Sequence, residues 1–504
     1  MKLCECTADK LKSISRHKRI ICFGAGGNLF FLFETYKMLE LERRVAFIVD
    51  NDKNKIGTVV KINGCEIQIK SPEEIEKLDL KKYVIVITAL RYQEIFSQIQ
   101  NICGNKRGNC YKAPNKRYRI TKLIESVMCR LPLRDIIILN GEGDTDENAQ
   151  ALGKYIAQND YFSKYQLVWL CDNPEKFEDK PKEHYLNRRT AMLANSISEV
   201  IKYYYYMCRA KYIVFENQMI KKLRSEQISI YLNHGSPPIK ATKGIIDLPA
   251  DLNYAISPSR FSTQIIESQY SINIQRIIEC GSPRTDILFA DSVDNHLKKQ
   301  LKIETYKKVI LWVPTFRQRK NTNRVDTNKQ YNYGIPLINS EKDIDRLISI
   351  LKEKNILIIM KPHLLQDMSF IKIKASEYFC ILTSDLLNEY ETNIYDVMKL
   401  SDAMITDYST IAFDFMLLNR PIGYTVDDIN EYKLGFSIDN VFELMPGNKM
   451  EEIEDLIKFV QDISVSKDEY QVEREKVNLL VHDYIDGKNS ERLCKKLGWR
   501  EINE

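Results

Sequence analysis

Short unbroken apolar runs recur along the chain, and most stop at a glycine, a proline or a polar residue. Arg19 to Phe23, Val45 to Val49, Asp135 to Leu139, Gln166 to Leu170, Lys211 to Phe215, Ile228 to Leu232, Val309 to Val313, Ile356 to Met360 and Ala403 to Thr406 predict buried strands. Between them, Asn28 to Leu41, Asn148 to Ala157 and Ser196 to Cys208 carry helical spacing. Strands that alternate with helices predict an α/β fold built on parallel sheets. The pattern divides into a small Rossmann-like unit (1–115), a basic linker (116–134) and two further α/β units (135–305 and 306–504).

Length agrees with that division, because 504 residues exceed one ordinary core. With 44% hydrophobic and 28% charged residues, the composition is that of a water-soluble globular chain. No apolar run reaches membrane-spanning length, and residues 1–20 lack the apolar centre of a signal peptide, so a cytoplasmic protein is expected. The twelve cysteines form no C-x-x-C pair, which predicts reduced thiols rather than a zinc site or a disulfide framework. Net charge is only +5, and nothing points to a nucleic acid. One stretch departs from this balance: Lys106, Arg107, Lys112, Lys116, Arg117, Arg119, Lys122, Arg130 and Arg134 are opposed only by Glu125. Ile120, Leu123, Ile124, Val127, Met128 and Leu131 run through it at helical spacing. The segment reads either as a helix on an anionic membrane surface or as a linker helix packed between domains.

Candidate chemistry lies at strand ends. In the first unit, a strand ends in Gly24, Ala25, Gly26 and Gly27, and the next ends in Asp50. That is the order of a dinucleotide-binding half, with Gly24, Gly26, Gly27 and Asp50 as candidate nucleotide contacts. Leu29 stands where the third glycine of the fingerprint belongs, so the glycines can equally serve the turn alone. Asp50-x-Asp52 reads as a strand-end acid rather than a metal motif.

In the second unit, the strand to Leu232 runs into Asn233-His234-Gly235-Ser236-Pro237-Pro238. A histidine there stands at the carboxyl edge of a parallel sheet, where ligands bind. Three strands of the third unit deliver Pro314, Thr315 and Arg317, then Lys361, Pro362 and His363, then Ser409, Thr410 and Asp414. The last group is read as the start of a helix from Ser409, a place where hydroxyls and free N–H groups gather. Taken alone it is also an ordinary helix cap; taken with the cations it is a site for a phosphate-rich ligand, with no acidic pair at metal spacing.

The motifs NHGSPPIK (233–240), GSPRTD (281–286), VPTFR (313–317), KPH (361–363), SDAMITDYSTIAFDF (401–415) and HDYIDGKNSER (482–492) resemble, in this order, the CDP-glycerol glycerophosphotransferase family. The resemblance runs from about Arg134 to Leu493 and leaves out the first 115 residues. It implies a glycosyltransferase-B-like pair of Rossmann-type domains and synthesis of poly(glycerol phosphate) or poly(ribitol phosphate) in teichoic acids or capsules. It further implies His234 as general base, Asn233, Gly235, Ser236 and Pro237 along the reacting phosphate, and Arg284 on the donor. Pro314, Thr315 and Arg317 would lie nearby. Lys361, Pro362 and His363, with Ser409, Thr410 and Asp414, would hold a CDP-glycerol or CDP-ribitol donor, His363 taking part in catalysis. A lipid- or polymer-linked acceptor follows from the same likeness; together with the basic 101–134 stretch and the lack of a membrane-spanning run it predicts a peripheral place on the inner face of the bacterial membrane, and the lysine, histidine and hydroxyls of the donor site predict that no cofactor or metal is required. The chain departs from the family's usual pattern at Asn233 (commonly Trp), Ser236 (commonly Thr) and Leu434 (commonly Arg). Two other readings fit the architecture: a glycosyltransferase using a nucleotide sugar, and a non-catalytic nucleotide sensor.

Overall fold

The computed structural model describes the chain except residues 7, 27–28, 30–31, 34–38, 90, 105, 107, 114–115, 142–146, 160–163, 178–182, 189, 191–196, 217, 291–294, 316–326, 328, 330, 364–365, 367, 391 and 500–504. Gly27 and Arg317 therefore lie outside the described residues, as does most of the helix expected over 28–41. The chain forms two compact units, 1–130 with 189–205, and 131–188 with 206–504.

The first unit carries β1 (Lys2–Glu5), β2 (Arg19–Phe23), β3 (Val45–Val49), β4 (Val59–Ile62), β5 (Cys65–Lys70), β6 (Tyr83–Ile87) and β7 (Asn109–Lys112). Their spatial order is β1-β7-β6-β2-β3-β5-β4. All pairs are parallel except β4 with β5. Apolar side chains of β2, β3 and β6 are buried on both faces, which is why these strands read as unbroken runs.

The second unit holds both of the remaining sheets. One contains β8 (Arg134–Asn140), β9 (Gln166–Cys171), β10 (His184–Asn187), β11 (Ala210–Phe215), β12 (Ile228–Tyr231), β13 (Tyr254–Ser257) and β14 (Ile277–Glu279), ordered β10-β9-β8-β11-β12-β13-β14. The other contains β15 (Lys308–Trp312), β16 (Ile356–Met360), β17 (Phe379–Ile381), β18 (Ala403–Thr406), β19 (Ile422–Thr425) and β20 (Asn448–Met450), ordered β17-β16-β15-β18-β19-β20. Both are wholly parallel, the expected pair of Rossmann-type sheets. In each, the chain reverses direction across the sheet beside the first strand, β8 or β15. The carboxyl ends of β8, β11 and β12, and of β15, β16 and β18, therefore open at the places where such sheets bind ligands.

The carboxyl-terminal helix corrects the expected boundary. Leu493, Cys494 and Trp499 are fully buried in the core of the β8–β14 sheet, with Trp499 against Tyr165 and Tyr212. Two motifs explain the return: Asp286 accepts the N–H groups of Asn489 and Ser490, both at 2.8 Å, so the acid of GSPRTD caps the helix Asn489–Lys496. Gly281 (φ 86°) lies under Asn489, where any Cβ would collide. Burying the Leu493 side chain contributes about 1.5–3 kcal/mol to this closure.

Candidate active site

In the second unit, β12 runs through Leu232 into a turn in which Asn233 has φ 43° and the Tyr270 hydroxyl donates to Asn233 Oδ1 at 3.4 Å. The turn brings His234 and Gly235 to partial exposure before Ser236, Pro237 and Pro238 return to the interior. A Cβ on Gly235 would lie 3.5 Å from Thr410 Oγ1, so the histidine loop faces the turn after β18 at van der Waals range. The chain beyond the histidine is tied to the other sheet as well: Ala241 N–H donates to the Gly435 carbonyl, and Ser437 N–H to that of Ile239. Gly435 takes φ 68°, so the glycine beside Leu434 is required by the bend itself.

Three strand ends of the other sheet supply the expected groups. Thr315, after β15, donates to Asp407 Oδ2 from both its N–H (3.0 Å) and its hydroxyl (2.6 Å), with Pro314 buried beside it. Lys361, after β16, donates to the Ser384 hydroxyl at 3.1 Å and is half-buried, as is His363 two residues on, while Pro362 is buried. Burial, reinforced by the Lys361 ammonium, pushes the His363 imidazolium down to about 4. At neutral pH His363 is therefore a neutral hydrogen-bonding group and not a cation. Ser409 and Thr410 are half-buried beneath the histidine loop. The helix expected from Ser409 begins at Ile411 and ends at Met416, and Thr410 makes no side-chain cap. Aspartate 407 takes the hydrogen bonds of Thr315, so its role is to lock β18 to β15.

Two expected donor contacts are turned inward. The Arg284 side chain is 3% exposed and that of Asp414 is 1% exposed, with Arg284 Nε 3.0 Å from Asp414 Oδ2. The Tyr395 hydroxyl donates to Asp414 Oδ2 at 2.8 Å. Arg284 Nη1 also lies 3.1 Å from Glu147 Oε2 and donates to the His234 carbonyl. Burial opposes the guanidinium charge, but Asp414 and Glu147 outweigh it and raise the group's affinity for its proton. Arg284 and Asp414 thus hold the two sheets' loops together and are almost wholly withdrawn from the surface.

Glu147 belongs to the site and is absent from the sequence-based expectations. It is the first residue of the helix Glu147–Gln158 and has φ 54°; its Oε2 lies 2.6 Å from His234 Nδ1. Burial pushes its carboxyl up, yet His234 and Arg284 together hold it well below the usual carboxylate range. The next residue, Asn148, donates to the Leu232 carbonyl at 3.1 Å and accepts from Arg284 N–H at 3.1 Å. Ala149 N–H donates to Glu216 at 2.7 Å. The signal available in sequence was an acid opening a predicted helix beyond the end of β8, at the ligand-binding edge. Glu147, Glu216 and His234 have potential ligand atoms within 4.8 Å of one another, the one such cluster among the described residues, but the Arg284 guanidinium already supplies a positive charge there.

In the first unit Asp50 accepts the Ala25 N–H (2.6 Å) and the Asp52 N–H (2.9 Å), so the strand-end acid closes onto the glycine turn. Gly24 has φ 109°, and a Cβ there would press within 3.2 Å of Ala89 and Thr88. Gly26 has open space about it. These contacts give the turn its own structural reason.

Residues 126–498 match the family described as CDP-Glycerol:Poly(glycerophosphate) glycerophosphotransferase. The chain is 26% identical over 414 residues to the teichoic acid glycerol-phosphate transferase of Staphylococcus aureus, covering 75% of this chain and 98% of that protein. It is 28% identical over 342 residues to a teichoic acid poly(glycerol phosphate) polymerase of Bacillus spizizenii, covering 62% and 79%. It spans 44% of the length of the Staphylococcus epidermidis polymerase, which it matches at 24% identity over 63% of its own length. Among solved structures, the wall teichoic acid polymerase TagF superposes with a TM-score of 0.58 at 21% identity, covering 81% of this chain and 97% of that one. A TagF structure soaked with CDPG gives the same TM-score at 20% identity, over 81% and 98%. The shared fold and a match over most of the chain agree with the paired parallel sheets and the histidine loop between them: this chain belongs to the CDP-glycerol:poly(glycerophosphate) glycerophosphotransferase family.

Proposed function

We propose that this protein transfers glycerol phosphate or ribitol phosphate from a CDP-alditol to a hydroxyl of a lipid- or polymer-linked acceptor. The observation that supports this reading is the approach of the His234 loop to Thr410, where a Cβ on Gly235 would lie 3.5 Å from Thr410 Oγ1. The acceptor hydroxyl attacks the phosphorus that bears the alditol. Its proton passes to His234, the new P–O bond forms, and the bond to the CMP phosphate breaks. An imidazole, with an intrinsic pKa of about 6.5, suits that proton transfer. Negative charge spreads onto the transferring and leaving phosphates. To that charge this reading assigns Lys361, a neutral His363 N–H, and the Ser409 and Thr410 hydroxyls, all of them half-buried. Arg284 is spent on Glu147 and Asp414, so Lys361 and the hydroxyls carry the electrostatic part of a reaction that needs no metal.

Work at a membrane surface is part of this proposal. Lys116–Met128 is a helix, with Leu123 65% and Val127 49% exposed beside Lys122. Exposed apolar residues among basic ones favour an anionic lipid surface over a packed linker. No helix of the described residues is long and apolar enough to cross a bilayer.

The test is incubation with CDP-glycerol and, separately, CDP-ribitol, with CMP release followed by chromatography. One donor should give CMP, and His234→Ala should bind that donor without releasing CMP. Turnover of neither, or unaltered turnover in the variant, would refute the proposal.

A further inference from the structure

We propose that Glu147 is the positioning residue of the base: it takes the Nδ1–H of His234 and so turns Nε2 toward the acceptor. The inference rests on His234 being the base and adds a residue that neither the motifs nor the fold assigns.

Each residue at the start of this helix is fixed to a different part of the site. The Glu147 carboxylate meets His234 Nδ1 at 2.6 Å; the Asn148 amide spans the Leu232 carbonyl and the Arg284 N–H; the Ala149 N–H is held by Glu216. Helix start, histidine loop and the Arg284 turn are therefore locked to one another by directional bonds.

The chemistry follows from the geometry. With Nδ1 donating to Glu147, the neutral imidazole carries its lone pair on Nε2. When Nε2 takes the acceptor proton, the imidazolium forms beside a carboxylate and is stabilised by it, the arrangement that serves catalytic histidines on unrelated folds. Arg284 lies 3.1 Å from the same Oε2 and draws on its charge. That second cation keeps Glu147 from holding His234 permanently protonated. Around His234 lie Glu147 at the helix start, Glu216 after β11 and Arg284 after β14, with His363 after β16 near enough for the two rings to interact electrostatically and Lys361 and Lys240 acting on His363 in turn.

Two measurements on the full chain test the proposal. The first needs no substrate: the His234 imidazole is titrated by NMR, its signals assigned through His234→Gln, in wild type, Glu147→Gln and Glu147→Asp. Wild type should show the Nδ1–H tautomer, and Glu147→Gln should shift the titration down by about one unit or more, since a carboxylate at this distance favours the protonated ring. The second is CMP release from the active CDP-alditol. Glu147→Gln should lower kcat by about 100-fold or more with KM for the donor changed less than threefold, and Glu147→Asp should regain at least tenfold of that loss. The acidic limb of the kcat profile should move with the NMR titration. An unchanged His234 titration in Glu147→Gln overturns the proposal, even if the variant is less stable. Should wild type turn over no CDP-alditol, the functional reading fails while the titration still decides the role of Glu147.

Discussion

Arg284 Nε and Asp414 Oδ2 lie 3.0 Å apart, joining the turn after β14 to the short helix after β18, and both side chains are cut off from solvent. The same guanidinium reaches Glu147 and the His234 carbonyl, so one arginine couples the His234 loop to the β15–β20 sheet. Removing it leaves carboxylates buried without a counter-charge. Arg284→Met should lose about 3–5 kcal/mol of stability in urea unfolding, and Arg284→Lys should recover only part, because an ammonium cannot span two carboxylates and a carbonyl at once. A loss below about 1 kcal/mol in the Met variant would mean the network is not under load.

Acid should weaken the fold through His363 and His482. His363 is pushed down to about 4 by burial and Lys361, and His482, buried with its ring against the Phe413 carbonyl, is also lowered, chiefly by burial. Between about 4 and the unfolded value of 6.5 the unfolded chain binds more protons, so stability contributed by neutral His363 is present above pH 6.5 and is lost as pH falls toward 4. At about 1.4 kcal/mol per unit, His363 alone accounts for roughly 2 kcal/mol between pH 7.5 and 5. Urea unfolding of wild type and His363→Gln at both pH values should show the shallower dependence in the variant. Equal slopes would contradict this account.

Metal removal should not stop the reaction. The strand-end groups proposed to hold the donor are Lys361, His363 and hydroxyls, and the acidic cluster beside His234 contains Arg284. CMP release should therefore persist after EDTA treatment and gel filtration. A loss restored by magnesium or manganese would move the electrostatic role from these side chains to an ion.

Lipid attachment is expected to depend on the helix Lys116–Met128. Each engaged cation contributes about 1 kcal/mol near an anionic surface, and screening weakens it as salt rises. Replacing Lys116, Arg117, Arg119 and Lys122 by Gln should lower co-sedimentation with anionic liposomes, most at low salt. Leu123→Ser with Val127→Ser should lower it at all salt concentrations. If wild type and both variants sediment alike, the helix has another task.

The sequence by itself determined the central strands of the three sheets, because a strand covered on both faces must be apolar at nearly every position and the turns that end it must be polar or glycine. Ile356–Met360, Ala403–Thr406 and Val45–Val49 have the same bounds in the sequence pattern and in the fold. For the same reason it located His234, Thr315, Lys361 and Ser409, which follow such runs directly. Only the tertiary structure decided what these groups do to one another. Glu147 meets His234 because β8 and β12 flank β11, a strand order that apolar runs do not encode. Arg284 and Asp414 were legible as polar residues in motifs, but whether they face a ligand or each other depends on how the loops of two sheets close. The carboxyl-terminal helix returned to the β8–β14 core for a similar reason. Its apolar positions show that it packs, and the partner is fixed by Asp286 at its amino end and by the space that Trp499 fills between Tyr165 and Tyr212.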